Sequence, residues 1–325
     1  MACQANVISF INLKGGVGKT SSAINIADKL SEECEVLVID MDPQFNATQA
    51  LLNYQYTNFE NFIPTDISEK VKKDFEENYK DKDINSDEIK EEFKLKAQLI
   101  YQELKTSKVT VHTLFNKDSI ISEISPANLI YKIKNNLSLI PGDLDLFKSL
   151  SGDSVGKHNV LEDHFQKYSL REHYDYIIID CPPNWTILTQ SSIFASDYYI
   201  IPSKVDLFSS VGIGLLQNLV QSTFYDDKSN IYSTYSMFRK GIDRDEIKPL
   251  GVLFTLTHDL VISKTIKQKL KKEIIDLEFL DSEIPYHQSV PLKFSLYSES
   301  GERHTSLTNA LEKVTTEIKD IIKED

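Results

Sequence analysis

Lys14 and Lys19 stand five positions apart in one glycine-rich stretch, FINLKGGVGKTSS, that runs from Phe10 to Ser22. Its glycines free the backbone to curl N–H groups around phosphate oxygens, and a helix starting just after them adds partial positive charge. Gly15, Gly16, Val17, Gly18, Lys19, Thr20 and Ser21 therefore form a candidate phosphate-binding loop. In it Lys19 reaches the β- and γ-phosphates and the Thr20 hydroxyl ligates Mg²⁺. An ordinary glycine-rich turn does not account for Gly-Lys-Thr in that order. One lysine suffices for such a loop, so Lys14 needs a separate explanation. Two other stretches end in acids. VLVIDMDPQFNAT (Val36–Thr48) sets Asp40 and Asp42 two positions apart at a strand end, where both carboxylates can face the phosphates. YDYIIIDCPP (Tyr174–Pro183) closes a strand on Asp180.

These residues need elements to hold them. Val7–Ile11, Val36–Asp40 and Tyr176–Asp180 are apolar runs that stop at polar or glycine residues, the pattern of parallel strands buried on both faces. Leu137–Pro141, Tyr198–Pro202 and Pro249–Thr255 are further strand candidates. Alternating with helical stretches, they indicate an α/β fold: a mostly parallel twisted sheet flanked by helices, with ligands beyond the carboxyl ends of its strands. Residues 1–325 read as a single domain. Within it, 55–135 is a charged, mainly helical insertion of surface helices, with a connection near Asp81–Asp87, and Tyr225–Lys248 reads as a second surface excursion. The composition, 41% hydrophobic and 26% charged, is enough to build a core. A net charge of -13 excludes a global field toward nucleic acid or anionic membrane, so any such binding needs a local patch. Cys3, Cys34 and Cys181 form no CxxC pair and read as small buried hydrophobes of a reducing compartment. The short apolar run Val7–Leu13 gives no signal peptide or membrane span, which makes a cytoplasmic location the expectation.

The general pattern G-x-x-x-x-G-K-[ST] wants glycine where Leu13 stands, and Lys14 follows it. In this form, K-G-G-V-G-K-T, the loop resembles the deviant Walker A box of the ParA/MinD family of dimeric ATPases. The resemblance implies a P-loop ATPase fold, with ATP and Mg²⁺ as cofactors and a nucleotide-sandwich homodimer. Lys14 then acts in trans on the partner's phosphates and Lys19 in cis. It also implies that Asp42 positions the attacking water, that Asp40 supports the Mg²⁺ shell, and that Asp180 holds Mg²⁺ from the Walker B strand. Residues 1–54 and 136–325 carry the likeness, through LSLIPGDLDL, IIPSKVDLFSSVGI, PLGVLFT and IPYHQSV. By the same resemblance Thr257, Pro285 and His287 lie near the adenine. Asp180-Cys181-Pro182-Pro183 points to the ParA branch. The closing pattern of Leu307, Leu311, Val314, Ile318 and Ile321 reads as a core-packed helix, not a membrane anchor. Two positions depart from the family: Phe45 stands where glycine is usual, and Asn184-Trp185-Thr186 replaces Ser-Leu-Gly.

In Val261–Ile275, helical spacing turns Ile262, Ile266, Leu270 and Ile274 inward and leaves Lys264, Lys267 and Lys271 as an outward stripe. That stripe is the candidate surface for non-specific DNA, although lysine stripes are usually only solvated faces. The resemblance thus implies a slow ATP hydrolase for plasmid or chromosome partition, stimulated by a ParB-like adaptor. A relative positioning non-DNA cargo and an ATP-gated protein-interaction switch are the alternatives.

Overall fold

The computed structural model describes residues 4–79, 86–115, 129–149, 157–206, 208–287 and 296–325. Cys3 and the expected connection at 81–85 lie outside them. Eight strands form one sheet: β1 (Asn6–Phe10), β2 (Val36–Asp40), β3 (Tyr131–Lys134), β4 (Leu137–Ile140), β5 (Tyr176–Asp180), β6 (Tyr198–Ser203), β7 (Lys248–Thr257) and β8 (Ile284–Pro285). Their order is β3-β4-β2-β5-β1-β6-β7-β8, parallel throughout except for the β3–β4 pair. β2 and β5 are buried along their whole length, as their unbroken apolar runs require.

Helices cover both faces. In chain order the first six are α1 (Lys19–Leu30), α2 (Asn46–Asn58), α3 (Thr65–Tyr79), α4 (Ser86–Thr106), α5 (His112–Phe115) and α6 (Leu146–Ser149). The remainder are α7 (Val160–Lys167), α8 (Leu170–His173), α9 (Ile187–Ala195), α10 (Ser209–Phe224), α11 (Asn230–Gly241), α12 (Val261–Glu273) and α13 (Thr305–Glu324). On one face, side chains of α1, α2, α4 and α13 pack with Ile8, Val38 and Ile178. On the other, α9, α10 and α11 pack with Val7, Leu37 and Ile179. The closing helix α13 buries Leu307, Leu311, Val314 and Ile318, with Ile321 half-buried, as its spacing predicts.

Two regions differ from the sequence reading. Tyr225–Lys248 is not a surface excursion: Ser229 caps α11, and Tyr235 and Arg239 on that helix are buried. One turn of spacing puts both on its inner side. In the charged segment, α4 carries an apolar row, Ala97, Ile100 and Leu104, that packs against Leu51 and Leu52 of α2. The segment also supplies β3, a four-residue edge strand too short to stand out among charged neighbours. A register shift between Lys132 and Lys134 lets two successive carbonyls meet α2. There the buried Gln55 Nε2 donates to Lys132 O (2.7 Å) and Ile133 O (3.0 Å), while its Oε1 accepts from the Tyr131 hydroxyl (2.9 Å).

Truncating Gln55 strands two buried polar groups, the Ile133 carbonyl and the Tyr131 hydroxyl, and the part-buried Lys132 carbonyl. Gln55→Ala should lower unfolding stability by about 2 kcal/mol or more in urea titrations, since each orphaned group costs about 1–3 kcal/mol. A change within about 0.5 kcal/mol, the scatter of ordinary surface substitutions, would show that the β3 edge is not held this way.

Candidate active site

The strand register brings the chemical residues to one edge. Phe10 at the end of β1 and Asp40 at the end of β2 both pair with Asp180 of β5. The glycine loop leaves β1 beside them and enters α1 through Gly18, left-handed at φ 77°. Gly16 is left-handed as well (φ 69°), and a Cβ at Gly15 or Gly16 would meet nothing within 4 Å. Gly15 and Gly16 are exposed, so the loop's backbone is open to a ligand. No acidic residue occupies the first turn of α1, so the positive end of its dipole faces the loop uncompensated.

Two polar contacts brace the loop from neighbouring strands. Asn12 Nδ2 donates to Pro202 O (2.7 Å) and its Oδ1 accepts from the Lys14 amide (2.8 Å). Thr255 Oγ1 donates to Val17 O (2.5 Å), next to an irregularity in β7 where Leu256 turns left-handed at φ 52°. Gly18 packs so closely on Thr255 that a Cβ there would lie 3.4 Å from it. Lys19 is buried and Thr20 half-buried, whereas Lys14 is exposed and its Nζ reaches Asp206 Oδ2 at 2.5 Å. Burial pushes the Asp206 carboxyl up, but the Lys14 ammonium and the Phe208 amide prevail and hold it low.

The three acids are not equivalent. Asp40 Oδ2 accepts from the Thr48 amide (2.8 Å) and hydroxyl (2.7 Å), and Oδ1 from the Asp42 amide (3.2 Å). The Thr48 hydroxyl accepts from Gly142 N at 2.8 Å, so β2, α2 and the chain after β4 meet on Asp40. No side chain fits at Gly142, whose Cβ would lie 2.9 Å from Asp40 Cγ. Burial and the Asp180 charge raise the Asp40 carboxyl well above the ordinary range, against the pull of Thr48. Asp42 is nearly buried, its Oδ1 accepting from Gln44 N (2.9 Å) and its carbonyl from Phe45 N (2.8 Å). Asp180 is fully buried, and among the described residues neither carboxylate oxygen accepts a well-formed hydrogen bond, although the Thr20 hydroxyl is close enough to act on it. Burial lifts its pKa to about 6, against the Lys19 charge and the Thr20 hydroxyl, with Asp42 adding repulsion. Two orphaned anionic oxygens beside Thr20 suit a hydrated divalent cation. Among the described residues no three His, Cys, Asp or Glu side chains gather into a metal site, so such a cation also needs oxygens from a bound phosphate.

Phe45 adopts φ 42°, ψ 37° at the N-cap of α2, the left-handed region that explains why glycine is usual there. For a phenylalanine this costs about 1–2 kcal/mol. Its ring stacks on Tyr101 of α4, centroids 4.7 Å apart and 8° from parallel. Trp185, after Asp180-Cys181-Pro182-Pro183, is half-buried against the core.

The outlying candidates sit differently. Thr257 is buried at the end of β7 and its carbonyl accepts from Tyr286 N (2.9 Å), which places Pro285 beside it in β8. The His287 ring meets His304 at 3.9 Å. In α12, Leu270 and Ile274 are buried, but Ile262 is 66% exposed, because the helix begins at Val261 and its first turn projects past the core. The lysine stripe is largely engaged: Lys264 pairs with Asp259 (3.1 Å), Lys267 with Glu283, and Lys271 lies over the Phe279 ring. Asn12, Thr48, Tyr101, Gly142, Asp206 and Thr255 escaped the sequence reading. Each is a single residue without local pattern.

A carboxyl whose pKa is raised by folding holds its proton more tightly in the folded chain. The stability it contributes is full below about pH 4 and lost as pH rises through about 6 for Asp180. Asp180→Asn should therefore raise the melting temperature of nucleotide-free protein in EDTA at pH 8, with the gain shrinking toward pH 5. An equal or lower melting temperature at pH 8 would rule out uncompensated charge at this position.

Comparison with known proteins agrees with this geometry. The AAA_31 family, an AAA domain, matches residues 5–233. The chain is 25% identical over 332 residues to the chromosome partitioning protein ParA of Myxococcus xanthus, covering 97% of this chain and 90% of that protein. It is 29% identical over 218 residues to an uncharacterized protein of Methanocaldococcus jannaschii, covering 66% of this chain and just under two thirds, 65%, of that relative. Among solved structures, the fold is shared with an McdA variant of Cyanothece in complex with ATP, at TM-score 0.64 and 20% identity over 98% of this chain and 97% of the other. It is shared too with cobyrinic acid a,c-diamide synthase of Mycobacterium smegmatis bound to an ATP analog and magnesium, at TM-score 0.59 and 20% identity over 95% and 92%. At such identities the structures speak for the fold alone. The family match spans most of the chain and takes in the glycine loop and all three acids: the chain belongs to the AAA_31 family and is a P-loop ATPase of the ParA/MinD type.

Proposed function

We propose that this protein is a Mg²⁺-dependent ATP hydrolase of the partition type, which dimerises around ATP and turns over slowly until a ParB-like adaptor engages it. The observation that carries the reading is the open glycine cradle between β1 and α1, with Lys19 buried beneath it and the partnerless Asp180 alongside. ATP places its phosphates in the cradle, on the Gly15–Ser21 backbone. Lys19 neutralises the β- and γ-oxygens. Thr20 and Asp180 would hold Mg²⁺, which when bound would supply charge neutralisation on the phosphates. Asp42 orients the attacking water, its carboxylate aimed by the Gln44 amide. Asp40, with three hydrogen bonds already made, supports the Mg²⁺ shell from behind by fixing α2 and the turn that carries Asp42. Lys14 leaves Asp206 and crosses to the partner's phosphates when two copies close on ATP. Thr257, Pro285 and His287 border the adenine. The resemblance supports ATP and Mg²⁺, and the ATP and magnesium complexes of the fold relatives agree with it.

The cargo is DNA in this reading, bound without sequence preference by the α12 lysines of an ATP dimer. A second reading has an observation in its favour. Two stripe lysines, Lys264 and Lys267, are paired with Asp259 and Glu283, Lys271 lies over the Phe279 ring, and the net charge is -13, which suits a relative that positions protein cargo or acts as an ATP-gated switch. Among the described residues no helix is long and apolar enough to cross a membrane.

The lysines separate the catalytic roles. Lys19→Ala should lose nucleotide affinity, whereas Lys14→Ala should bind ATP yet neither dimerise nor hydrolyse it. Asp42→Ala should bind ATP and accumulate as a dimer, with turnover down by at least about 100-fold, the scale of a lost proton-positioning group. Light scattering and phosphate release with Mg-ATP read all three. A Lys14→Ala protein that dimerises and turns over normally would sink the trans assignment.

For DNA, binding should need ATP, ignore sequence and fall steeply with salt, because released counterions drive it. Replacing Lys264, Lys267 and Lys271 with glutamate should abolish binding and spare ATPase activity. Duplex DNA left unshifted by wild-type protein at low salt with Mg-ATP would favour the non-DNA reading.

A further inference from the structure

The charged segment supplies none of the motif stretches, yet it touches the candidate catalytic turn at a point on α4. That point is the Phe45–Tyr101 stack. Asp42, Gln44 and Phe45 form one closed turn: Gln44 N donates to the Asp42 carboxylate, Phe45 N donates to the Asp42 carbonyl, and Phe45 O accepts from Gln49 N at 3.0 Å. A left-handed phenylalanine is an unfavourable way to close such a turn, so something outside must hold it. Gly142 lies against Phe45, where an added Cβ would come 3.0 Å from the Phe45 Cβ, so only backbone fits at that point. In front, the stacked rings border a cavity of about 450 Å³ between α2 and α4, lined also by Gln49, Leu52 and Gln98. The Phe45 ring is therefore not wedged by core on that side. Its parallel partner is Tyr101.

Tyr101 is itself well anchored. Ala97, Ile100 and Leu104 of the same helix are buried in the core, and Lys105 pairs with Asp143 (3.0 Å) and Asp145 (3.1 Å) just after β4. The contact between Tyr101 and Phe45 is face to face, with ring centroids 4.7 Å apart. We propose that Tyr101 is a positioning residue for Asp42, acting through Phe45, so that the charged segment sets the geometry of hydrolysis. This rests on the reading of Asp42 as the group that orients the attacking water.

The test uses the full chain with Mg-ATP and measures kcat, KM and the affinity for a fluorescent ATP analogue. Tyr101→Ala and Tyr101→Leu should each lower kcat by about tenfold or more, the scale of a small misplacement of a catalytic group, with KM and nucleotide affinity within about twofold. Tyr101→Phe keeps the ring face and should retain the wild-type kcat. In a Phe45→Gly background the turn no longer needs the stack, so adding Tyr101→Leu should change kcat by less than about twofold, as expected when one substitution removes the other's coupling partner. Tyr101→Leu preserves bulk, which keeps the test sound should Tyr101→Ala fold poorly. A wild-type kcat in Tyr101→Leu, or a loss of nucleotide affinity in step with kcat, would overturn the positioning role while leaving the ATPase reading intact. Wild-type protein that binds ATP and never hydrolyses it would overturn both.

Discussion

Three carboxylates, Asp40, Asp42 and Asp180, sit at one edge of the sheet with little water and one buried lysine among them. Their mutual repulsion is the constraint around which the surroundings are arranged. Asp40 is relieved by three hydrogen bonds, two of them from Thr48, and these bonds draw in α2 and exclude any side chain at Gly142. Asp42 is drawn away by the Gln44 amide. Asp180 has no such set of hydrogen bonds, and burial raises its carboxyl, as it raises that of Asp40, against the nearby Lys19 charge. The site is thus complete in two of its acids and incomplete in the third. That asymmetry separates the acids that shape the turn from the one we propose takes the cation.

Much of this was legible in the sequence because it is local. The strand ends at Asp40 and Asp180 fall where apolar runs of matching length stop, and the parallel register then sets them side by side. The glycine loop is legible for the same reason: its neighbours in sequence are its neighbours in space. What was not legible is long-range and single-residue. Thr255 reaches Val17 from the far side of β7, Asn12 meets Pro202, and Tyr101 meets Phe45 across 55–135, a segment whose charge density hid the Ala97, Ile100, Leu104 row. Ile262 erred in the opposite direction. Helical spacing assigns a face but not where the core stops, and α12 begins one residue before it.

Phe45 ties these two kinds of information together. Read alone, it was only a departure from a family glycine. In place, its left-handed backbone accounts for the glycine preference, and its ring accounts for the exception. A glycine turn is free to relax, whereas a phenylalanine turn depends on whatever stacks against it. Exchanging one for the other makes the turn answerable to α4.

The opposite edge of the sheet shows that an unsatisfied carboxylate is not a by-product of this fold. Asp197, just before β6, is buried too, at 6% exposed against 0% for Asp180. Its burial penalty is outweighed by Arg171, Arg244 and Arg239, which hold its carboxyl low, and by the Val7 amide at 2.9 Å. Glu162 satisfies Arg171 in turn at 2.8 Å. The chain can therefore surround a buried acid completely, and does so at the amino edge, where the network joins β1, β6, α8 and α11. At the carboxyl edge it supplies Asp180 with one lysine and one hydroxyl and stops short. Buried charge left uncompensated is destabilising, and the contrast between Asp197, held by three arginines, and Asp180, with one lysine and one hydroxyl, is what supports our proposal that a cation completes the second.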